Sequence, residues 1–291
     1  MEKVCISFSC YNNSKSILNI LNSIEKQDYE NLSVVMADDG SSDDTADVIE
    51  EFIKTAKKEY VLLREPHLER GITRKKSIDK ALELNCDYIL IIDSDMILED
   101  NLISECISYF KKNEKVGALV IPEIPFSDFT NFYSKVKVFE RKIINNLGED
   151  LGKNSIEAAR FWKVEEYKKS GGINPKQIAF EETQPTIRYL NLNGIIKRAC
   201  FTGLYHDEKK VTLKNILEKK AYYFRKMKTT LKTEESGSSK AFSRWYFFRP
   251  VLYRGSNLKE YIKHPLLTLG VINMYILLTF VGVHALITKD K

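Results

Sequence analysis

Two aspartates stand one residue apart at the end of an apolar run, in the segment YILIIDSDMILED that covers residues 88–100. Ionised carboxylates are costly to remove from water, so Asp93 and Asp95 are expected either to face solvent or to hold a cation. Carboxylate oxygens suit Mg²⁺ or Mn²⁺, ions that usually complete their coordination with water and phosphate oxygens. The pair therefore indicates either a solvated turn or a divalent metal site beside a phosphate ligand.

The elements that position this pair alternate strand and helix along the first half of the chain. Apolar, β-branched runs predict strands at KVCISFS, LSVVMAD, YVLLRE and DYILIID. Amphipathic patterns predict helices over residues 15–27, 44–58 and 72–84. This order predicts an α/β fold in which helices flank a mainly parallel central sheet, and in such sheets ligands bind beyond the carboxyl ends of the strands.

A second acidic cluster, ADDGSSDDT, follows the second predicted strand. Ser41 or Ser42 is expected to cap the next helix, and the acids of its first turn favour the helix dipole. Asp38 and Asp39 precede that turn, where their carboxylates can hydrogen-bond a base and a ribose. Because both acidic clusters follow strands, we expect them at the carboxyl edge of the sheet.

Charge is distributed unevenly along the 291 residues. Residues 1–208 carry 28 Lys and Arg against 35 Asp and Glu, whereas residues 209–263 carry 15 against 4. The basic stretch includes FSRWYFFRPVLYR, in which aromatic and cationic residues alternate as they do in proteins that contact lipid headgroups. Residues 265–288 contain no Asp, Glu, Lys or Arg. As a helix, that segment would match the hydrocarbon thickness of a bilayer, so we expect it to insert into a membrane.

The five cysteines are odd in number and include no CxxC pair. This pattern fits free thiols in a reducing compartment better than a disulfide framework, and it favours the cytosol. The opening segment MEKVCISFSC has too short an apolar run for a signal peptide, so we expect the chain to begin inside the fold.

The motifs resemble, in their order and spacing, those of the family 2 glycosyltransferases with the GT-A (Rossmann-like) fold, over roughly residues 4–206. SFSCYNN is similar to the family's PTYN stretch, ADDGSSDDT to its VDDGSTDGT, and GITRKKSIDKAL to its G-x-x-x-A-R-N-x-G helix. DSD is similar to the metal-binding DxD, and FEETQPTIR to the acceptor-side ED-x-x-L-x-x-R motif. The resemblance implies a catalytic domain over residues 1–208, with a nucleotide-sugar half (1–100) and an acceptor half (101–208). A basic membrane-interface region (209–263) and a hydrophobic membrane segment (264–291) would follow.

The resemblance also implies which residues hold the donor. A nucleotide-sugar-binding group would comprise Ser9, Tyr11, Asp38, Asp39, Arg74 and Asp93, with Arg74 near the diphosphate. Asp95, together with Asp93, would bind Mn²⁺ or Mg²⁺ between the two phosphates. His206 lies where some relatives place a histidine near the donor phosphates, so it is a third candidate for the metal.

On the acceptor side, Glu182 takes the place of the family's general base. This chain has Glu181-Glu182 where the family usually has Glu-Asp, and Gln184 where an acid is common, so either glutamate remains a candidate. Lys75 replaces the usual Asn after Arg74. No change removes a carboxylate from the position that needs one.

The implied reaction is an inverting transfer of a sugar from a UDP- or GDP-linked donor to a lipid-linked or glycan acceptor. A hydroxyl acceptor needs a base, whereas a lipid phosphate is already ionised and leaves the glutamates to position the substrates or bind the metal. With the basic region and the apolar tail, this reaction is expected on the cytoplasmic side of the cell membrane, with membrane lipids as partners. Whether the chain forms a homo-oligomer stays open.

Three other functions compete with this interpretation. A haloacid-dehalogenase-like phosphatase also places its nucleophile in a hhhhDxDx strand end, but no GDxxxD or Asp-Asp pair follows residue 95. A nucleic-acid-binding protein could use the basic aromatic region on phosphates and bases. That function would leave the acidic edge unexplained, so no nucleic-acid partner is expected. A sugar-nucleotide binder without catalytic activity is the third.

Overall fold

The computed structural model describes residues 1–68, 70–175, 183–233 and 246–288. Glu181 and Glu182 lie outside the described residues, as do residues 234–245. One compact unit contains residues 1–124 and the described residues between 148 and 206. A second contains residues 125–147 and the described residues from 207 onward.

The strands are β1 (Val4–Cys10), β2 (Leu32–Asp38), β3 (Glu59–Arg64), β4 (Tyr88–Ile91), β5 (Met96–Leu98), β6 (Val116–Val120), β7 (Glu123–Phe126), β8 (Arg160–Lys163), β9 (Ile195–Arg198) and β10 (Leu204–Asp207). The helices are α1 (Ile17–Glu25), α2 (Thr45–Ile53), α3 (Arg70–Glu83), α4 (Leu102–Lys112), α5 (Phe132–Ile144), α6 (Val164–Lys169), α7 (Thr183–Asn191), α8 (Leu213–Thr233), α9 (Gly255–Lys263) and α10 (Pro265–Ile287). Short 3-10 turns cover Glu149–Asn154, Tyr246–Phe248 and Pro250–Tyr253.

Within the described residues, the main sheet has seven strands in the order β3-β2-β1-β4-β8-β6-β9. β1 pairs in parallel with β2 and β4, and β2 pairs in parallel with β3. β8 runs antiparallel between β4 and β6. The predicted α/β architecture with a mainly parallel sheet is confirmed, and β8 is an antiparallel addition to it.

Helices cover both faces of this sheet, because successive strand residues point to opposite sides. In β1, Ile6 and Phe8 pack in one apolar cluster with α1, α2 and α4, whereas Cys5 packs in a second cluster with α3 and Tyr167 of α6. Strands buried on both faces are near-continuously apolar, which is why β1, β2 and β4 are recognisable in the sequence, whereas β3 at the edge of the sheet is only partly buried.

A small second sheet has the order β5-β10-β7. β5 begins directly after the DSD motif and pairs antiparallel with β10, so that Met96 is opposite His206. This pairing brings His206, which lies at the end of the first unit in sequence, next to Asp95. The small sheet therefore completes the acidic end of β4.

The second unit is built from α5, α8, α9 and α10. The helix α10 packs against α5 and α8. Among the described residues, one segment, Pro265–Ala285 of α10, is long and apolar enough to cross a membrane, with a mean hydropathy of 2.1. The predicted apolar C-terminal helix is confirmed.

Candidate active site

Side-chain hydrogen bonds join the loops that follow β1, β2 and β4. The Asn12 Oδ1 atom accepts a hydrogen bond from the Ser42 backbone N–H at 2.8 Å, and the Asn13 N–H donates to Thr45 Oγ1 at 2.7 Å. The Asn13 side-chain amide donates to the backbone oxygen of Ser94 at 3.0 Å. Because Ser94 separates Asp93 from Asp95, both acidic clusters lie along one edge of the sheet.

Asp38 and Asp39 are buried at the end of β2, with both carboxylates held in place. Asp38 accepts hydrogen bonds from the Ser41 hydroxyl at 2.5 Å and the Ser41 N–H at 3.0 Å. One oxygen of Asp39 accepts from the Leu68 N–H at 2.9 Å and from the Thr73 hydroxyl at 2.5 Å. A carboxylate has about four lone-pair positions, so these bonds orient the two groups and leave acceptor capacity for a polar ligand.

The predicted helix cap is wrong. The Ser41 hydroxyl donates back to Asp38, and the Ser42 N–H donates to Asn12. α2 begins at Thr45, and Asp44 occupies the N-cap position without a side-chain capping bond. The serines therefore shape the acidic loop, and Asp47 is the acid of the first helical turn.

The half-exposed ring of Tyr11 lies beside this loop, with its centroid 4.7 Å from that of His67. Ser9, near the end of β1, is opposite Ala37 of β2. Gly40 has a φ of +69°, and a Cβ atom there would lie 2.6 Å from the His67 backbone nitrogen. The close approach of the His67 segment to Gly40 thus requires glycine at that position. The half-exposed ring of Tyr11 beside it offers a surface suited to stacking against a planar base.

Two arginines of α3 converge on Asp93. Arg74 Nη2 is 2.7 Å and Arg70 Nη2 is 3.0 Å from Asp93 Oδ1, and Arg74 also donates to the Ile92 backbone oxygen at 3.2 Å. Burial alone would raise the pKa of Asp93, but the charges of Arg70 and Arg74 outweigh it and hold that pKa well below its usual range. Asp93 is therefore ionised, and Arg74 is a buried, fixed cation.

Asp95 faces His206 on the other side of the DSD turn. His206 Nε2 is 3.6 Å from Asp95 Oδ1, and His206 Nδ1 is 3.0 Å from Glu123 Oε2. Glu123 is buried on β7, where its other oxygen accepts a hydrogen bond from the Ala158 N–H. An ionised carboxylate can only accept, so Nδ1 is the nitrogen that donates to Glu123, and Nε2 faces Asp95.

Sequence reasoning missed Glu123. The residue follows Pro122 in an apolar run, and its partner is 83 positions away, so no local pattern predicts the contact. The only signal is a single acid within VGALVIPEI. Carboxylate support of this kind commonly fixes the tautomer and ring orientation of a histidine that binds metal.

Asp95 and His206 are the pair best placed to hold a divalent cation. Asp93 faces the arginines, and among the described residues no group of three His, Cys, Asp or Glu side chains has an arrangement suited to a metal ion. Mg²⁺ is usually held by one or two carboxylates and completed by water and substrate phosphates, and imidazole is a suitable ligand for several transition metals. A carboxylate and an imidazole 3.6 Å apart fit that requirement.

On the predicted acceptor side, the described residues resume at α7, with Pro185 in its first turn. Arg188, the last residue of FEETQPTIR, donates to the backbone oxygens of Ser170 (2.7 Å) and Gly172. Gly171 and Gly172 have positive φ values, so the chain turns sharply there. Arg188 therefore anchors α7 to this turn. The helix α7 begins at Thr183, the residue that follows Glu182 in the sequence.

Residues 5–162 match the family model described as Glycosyl transferase family 2. The chain belongs to glycosyl transferase family 2. Membership confirms the predicted family and leaves the phosphatase alternative without support.

The protein is 29% identical over 120 residues to poly-beta-1,6-N-acetyl-D-glucosamine synthase of Staphylococcus epidermidis, and the match covers 41% of this chain and 28% of that protein. It is 28% identical over 120 residues to the glycosyltransferase GlyG of Streptococcus pneumoniae serotype 4, covering 41% and 38%. The match thus spans less than half the length of either relative.

Solved structures identify the fold. The mannosyltransferase PcManGT from Pyrobaculum calidifontis, in complex with GDP-Man and Mn²⁺, matches this family 2 member with a TM-score of 0.65 at 14% identity, over 99% of this chain and 88% of that one. S. aureus TarS 1-349 in complex with UDP matches with a TM-score of 0.57 at 15% identity, over 94% and 80%. The fold is GT-A, as predicted.

Proposed function

We propose that this family 2 member transfers a sugar from a UDP- or GDP-linked donor to a glycan or lipid-linked acceptor, with inversion at the anomeric carbon. The observation that carries the proposal is the shared edge of the sheet. Asp38 and Asp39 lie at the end of β2, the Arg74–Asp93 and Asp95–His206 pairs lie beyond the end of β4, and β1 lies between these two strands. Two proteins of similar fold were solved with such ligands, PcManGT with GDP-Man and Mn²⁺ and TarS 1-349 with UDP or UDP-GlcNAc, which supports a nucleotide-sugar donor.

The donor nucleotide would bind at the end of β1 and β2. Asp38 and Asp39 are oriented acceptors for the polar hydrogens of a base and a ribose, and Tyr11 offers a ring face beside them. Ser9 would complete this group from the neighbouring strand. The fixed geometry avoids the entropy cost of ordering these side chains when the nucleotide arrives.

The diphosphate would lie near α3 and the DSD turn. A divalent cation, when bound by Asp95 and His206, would offset the negative charge that develops on the leaving diphosphate. Arg74 is buried and cannot move far, and Arg70 is more exposed, so Arg70 is the arginine that could turn toward a phosphate. Asp93 would hold both arginines and contact the donor.

On the opposite face of the sugar, the acceptor oxygen forms the new bond as the bond to the diphosphate oxygen breaks. For a hydroxyl acceptor, Glu182, with Glu181 as the alternative, would take the proton. For a lipid phosphate, the attacking oxygen is already ionised and no proton is transferred. One displacement of this kind inverts the anomeric centre.

The site of action would be the cytoplasmic leaflet of the cell membrane. All five cysteines are free, which fits a reducing compartment. The basic residues between 209 and 263 suit an anionic leaflet, and the apolar helix α10 suits its acyl layer. A glycan acceptor is supported by the similarity to a polysaccharide synthase.

The test is a panel of UDP- and GDP-sugars assayed for nucleotide release with Mn²⁺ or Mg²⁺, with and without polyprenyl phosphate or a β-linked glucosamine oligomer. We expect release from one donor class, stimulated by one acceptor and abolished by chelation with EDTA. Binding of a nucleotide sugar without turnover on any acceptor would favour a sugar-nucleotide binder instead.

A further inference from the structure

One face of α10 is apolar and exposed along the whole helix. Its members recur every three or four residues and retain 42% to 76% of their accessible surface: Leu266, Leu269, Ile272, Ile276, Phe280, Val283 and Ile287. At 3.6 residues per turn they form a stripe roughly 120° wide. We refer to these seven residues as the α10 stripe. A contiguous apolar surface of this kind on a folded unit indicates an interaction site.

The opposite face of α10 packs against α5. A Cβ atom on Gly270 would lie 2.5 Å from a methyl group of Val136, so the two helices approach closely there. Further along, the Tyr275 hydroxyl donates to Glu140 at 2.8 Å, and Met274 and Leu278 are buried. The helix is therefore covered on one side by protein over much of its length.

This packing conflicts with a helix that crosses the bilayer. Tyr275 lies at the middle of α10, and its partner Glu140 forms an ion pair with Lys137 at 2.6 Å. Lys135 and Lys142 on the same helix α5 are exposed. A transmembrane α10 would bring these charges to the depth of the hydrocarbon core, where each charged side chain costs several kcal/mol.

We propose that α10 lies in the plane of the membrane, with the α10 stripe among the acyl chains of one leaflet and the opposite face on α5 and α8. Exposed apolar residues of the preceding helix, Leu258 and Ile262, would extend the inserted surface. Lys259 and Lys263 alternate with them and would meet anionic headgroups. This arrangement refines the proposed membrane association and is independent of the catalytic assignment.

Charge favours a lipid surface over a second copy of the chain as the occupant. The stripe directly follows residues 209–263, which carry 15 Lys and Arg against 4 Asp and Glu. Two copies that met through their stripes would bring two such basic regions together, whereas an anionic lipid surface would neutralise them.

The first test locates the two ends of α10. Full-length protein with the exposed Cys200 changed to Ser would carry one new cysteine, Lys263→Cys or Thr288→Cys, and would be added to preformed sealed vesicles of phosphatidylcholine and phosphatidylglycerol. A membrane-impermeant maleimide then labels the protein recovered by flotation. We expect equal labelling at both ends, with no increase after the vesicles are permeabilised. Protection of one end until permeabilisation would show a spanning helix and overturn the proposal.

The second test asks what the stripe contacts. Ile276→Asp with Phe280→Asp should lower the vesicle-bound fraction at least tenfold, because two apolar side chains that would insert among the acyl chains are replaced by charged ones. Leu192→Asp, an exposed leucine of the first unit, is the matched control and should float like the unchanged protein. Unchanged flotation of the double variant, or dissociation of an oligomer in sedimentation without loss of flotation, would overturn the proposal. Nucleotide release in the same samples reports separately on the proposed catalysis.

Discussion

Acidic side chains held by basic partners occur in two regions of the molecule, and their exposure differs. At the carboxyl edge of the main sheet, the side chains of Asp93 and Asp95 retain 23% and 26% of their accessible surface, with partners on the protein side. In the second unit, the Glu140 side chain retains 4% and is enclosed by Lys137, Arg249 and Tyr275.

The difference separates a carboxylate that can receive a ligand from one that stabilises the fold. Asp95 has a histidine on one side and solvent on another, so a cation or phosphate can approach it. Glu140 accepts from Lys137 at 2.6 Å and from Tyr275 at 2.8 Å, and its ligands are already side chains of the same unit. An acidic side chain held by protein partners is therefore a candidate for chemistry only where a cation or substrate can still reach its carboxylate from solvent.

The largest effect is expected at Asp95. Asp95→Asn keeps the shape and removes the charge, so cation-dependent nucleotide release should fall about a thousandfold, the scale of lost electrostatic stabilisation. Asp79→Asn on α3, which removes only an exposed pair with Lys75, is the matched control and should leave the rate unchanged. Equal rates of nucleotide release for Asp95→Asn and the unchanged protein would contradict the claim that Asp95, unlike Glu140, receives a ligand.

Arg74→Lys should reduce nucleotide release roughly a hundredfold. The lysine keeps the charge but cannot bond Asp93 and the Ile92 backbone oxygen together, so Asp93 loses its fixed position. The measurement is kcat and KM for the donor. A change in KM for the acceptor alone would contradict this role.

Glu123→Gln tests a case between the two regions. The Glu123 side chain is buried like that of Glu140, but it contacts His206, which faces the solvent-accessible Asp95. We expect metal affinity to fall about tenfold, since the amide can present its N–H to His206 and select the other tautomer. Glu83→Gln, an exposed acid on α3, is the control. In a double-mutant cycle, Glu123→Gln should add little once His206→Ala is present. Full additivity would show that Glu123 acts elsewhere.

Glu140→Gln should have the smallest effect on catalysis and a clear effect on stability. It removes the buried negative charge that faces Lys137 and Arg249, so we expect a loss of roughly 3 kcal/mol in the free energy of unfolding at pH 7. Burial would raise the pKa of Glu140, but Lys137, Arg249 and Arg141 outweigh it and lower the pKa to about 2. A lowered pKa stabilises the fold above the ordinary value near 4.5, and this contribution is lost as pH falls from there toward 2.

The check on that prediction is thermal unfolding of both proteins at pH 7 and pH 3. The difference in Tm between them should shrink at the lower pH. A difference that stays constant would show that the carboxylate charge does not contribute.

The sequence predicted the parts of the fold that depend on local pattern. Strands β1 to β4 and helices α1 to α3 have clear apolar periods, and acids placed directly after strands predicted the sheet edge. α10 was predictable because an uncharged run of that length has few other structures available to it.

The remainder depends on contacts between distant residues. The strand β8, with the sequence RFWK, is too short for a period to be recognised, and its antiparallel position is decided by its neighbours β4 and β6. The approach of His206 to Asp95 requires the β5–β10 pairing, across more than a hundred residues. The cap prediction failed because the Ser41 hydroxyl can either accept a hydrogen bond from a backbone N–H of the helix or donate one to Asp38, and the sequence does not rank these two bonds.

The most direct test of the central claim is Mn²⁺ binding, measured by calorimetry with UDP or GDP present, for the unchanged protein, Asp95→Asn and Glu140→Gln. We predict one Mn²⁺ site that depends on the nucleotide, is lost in Asp95→Asn and is retained in Glu140→Gln. Equal Mn²⁺ affinity in all three proteins would contradict a cation site at the end of the central sheet.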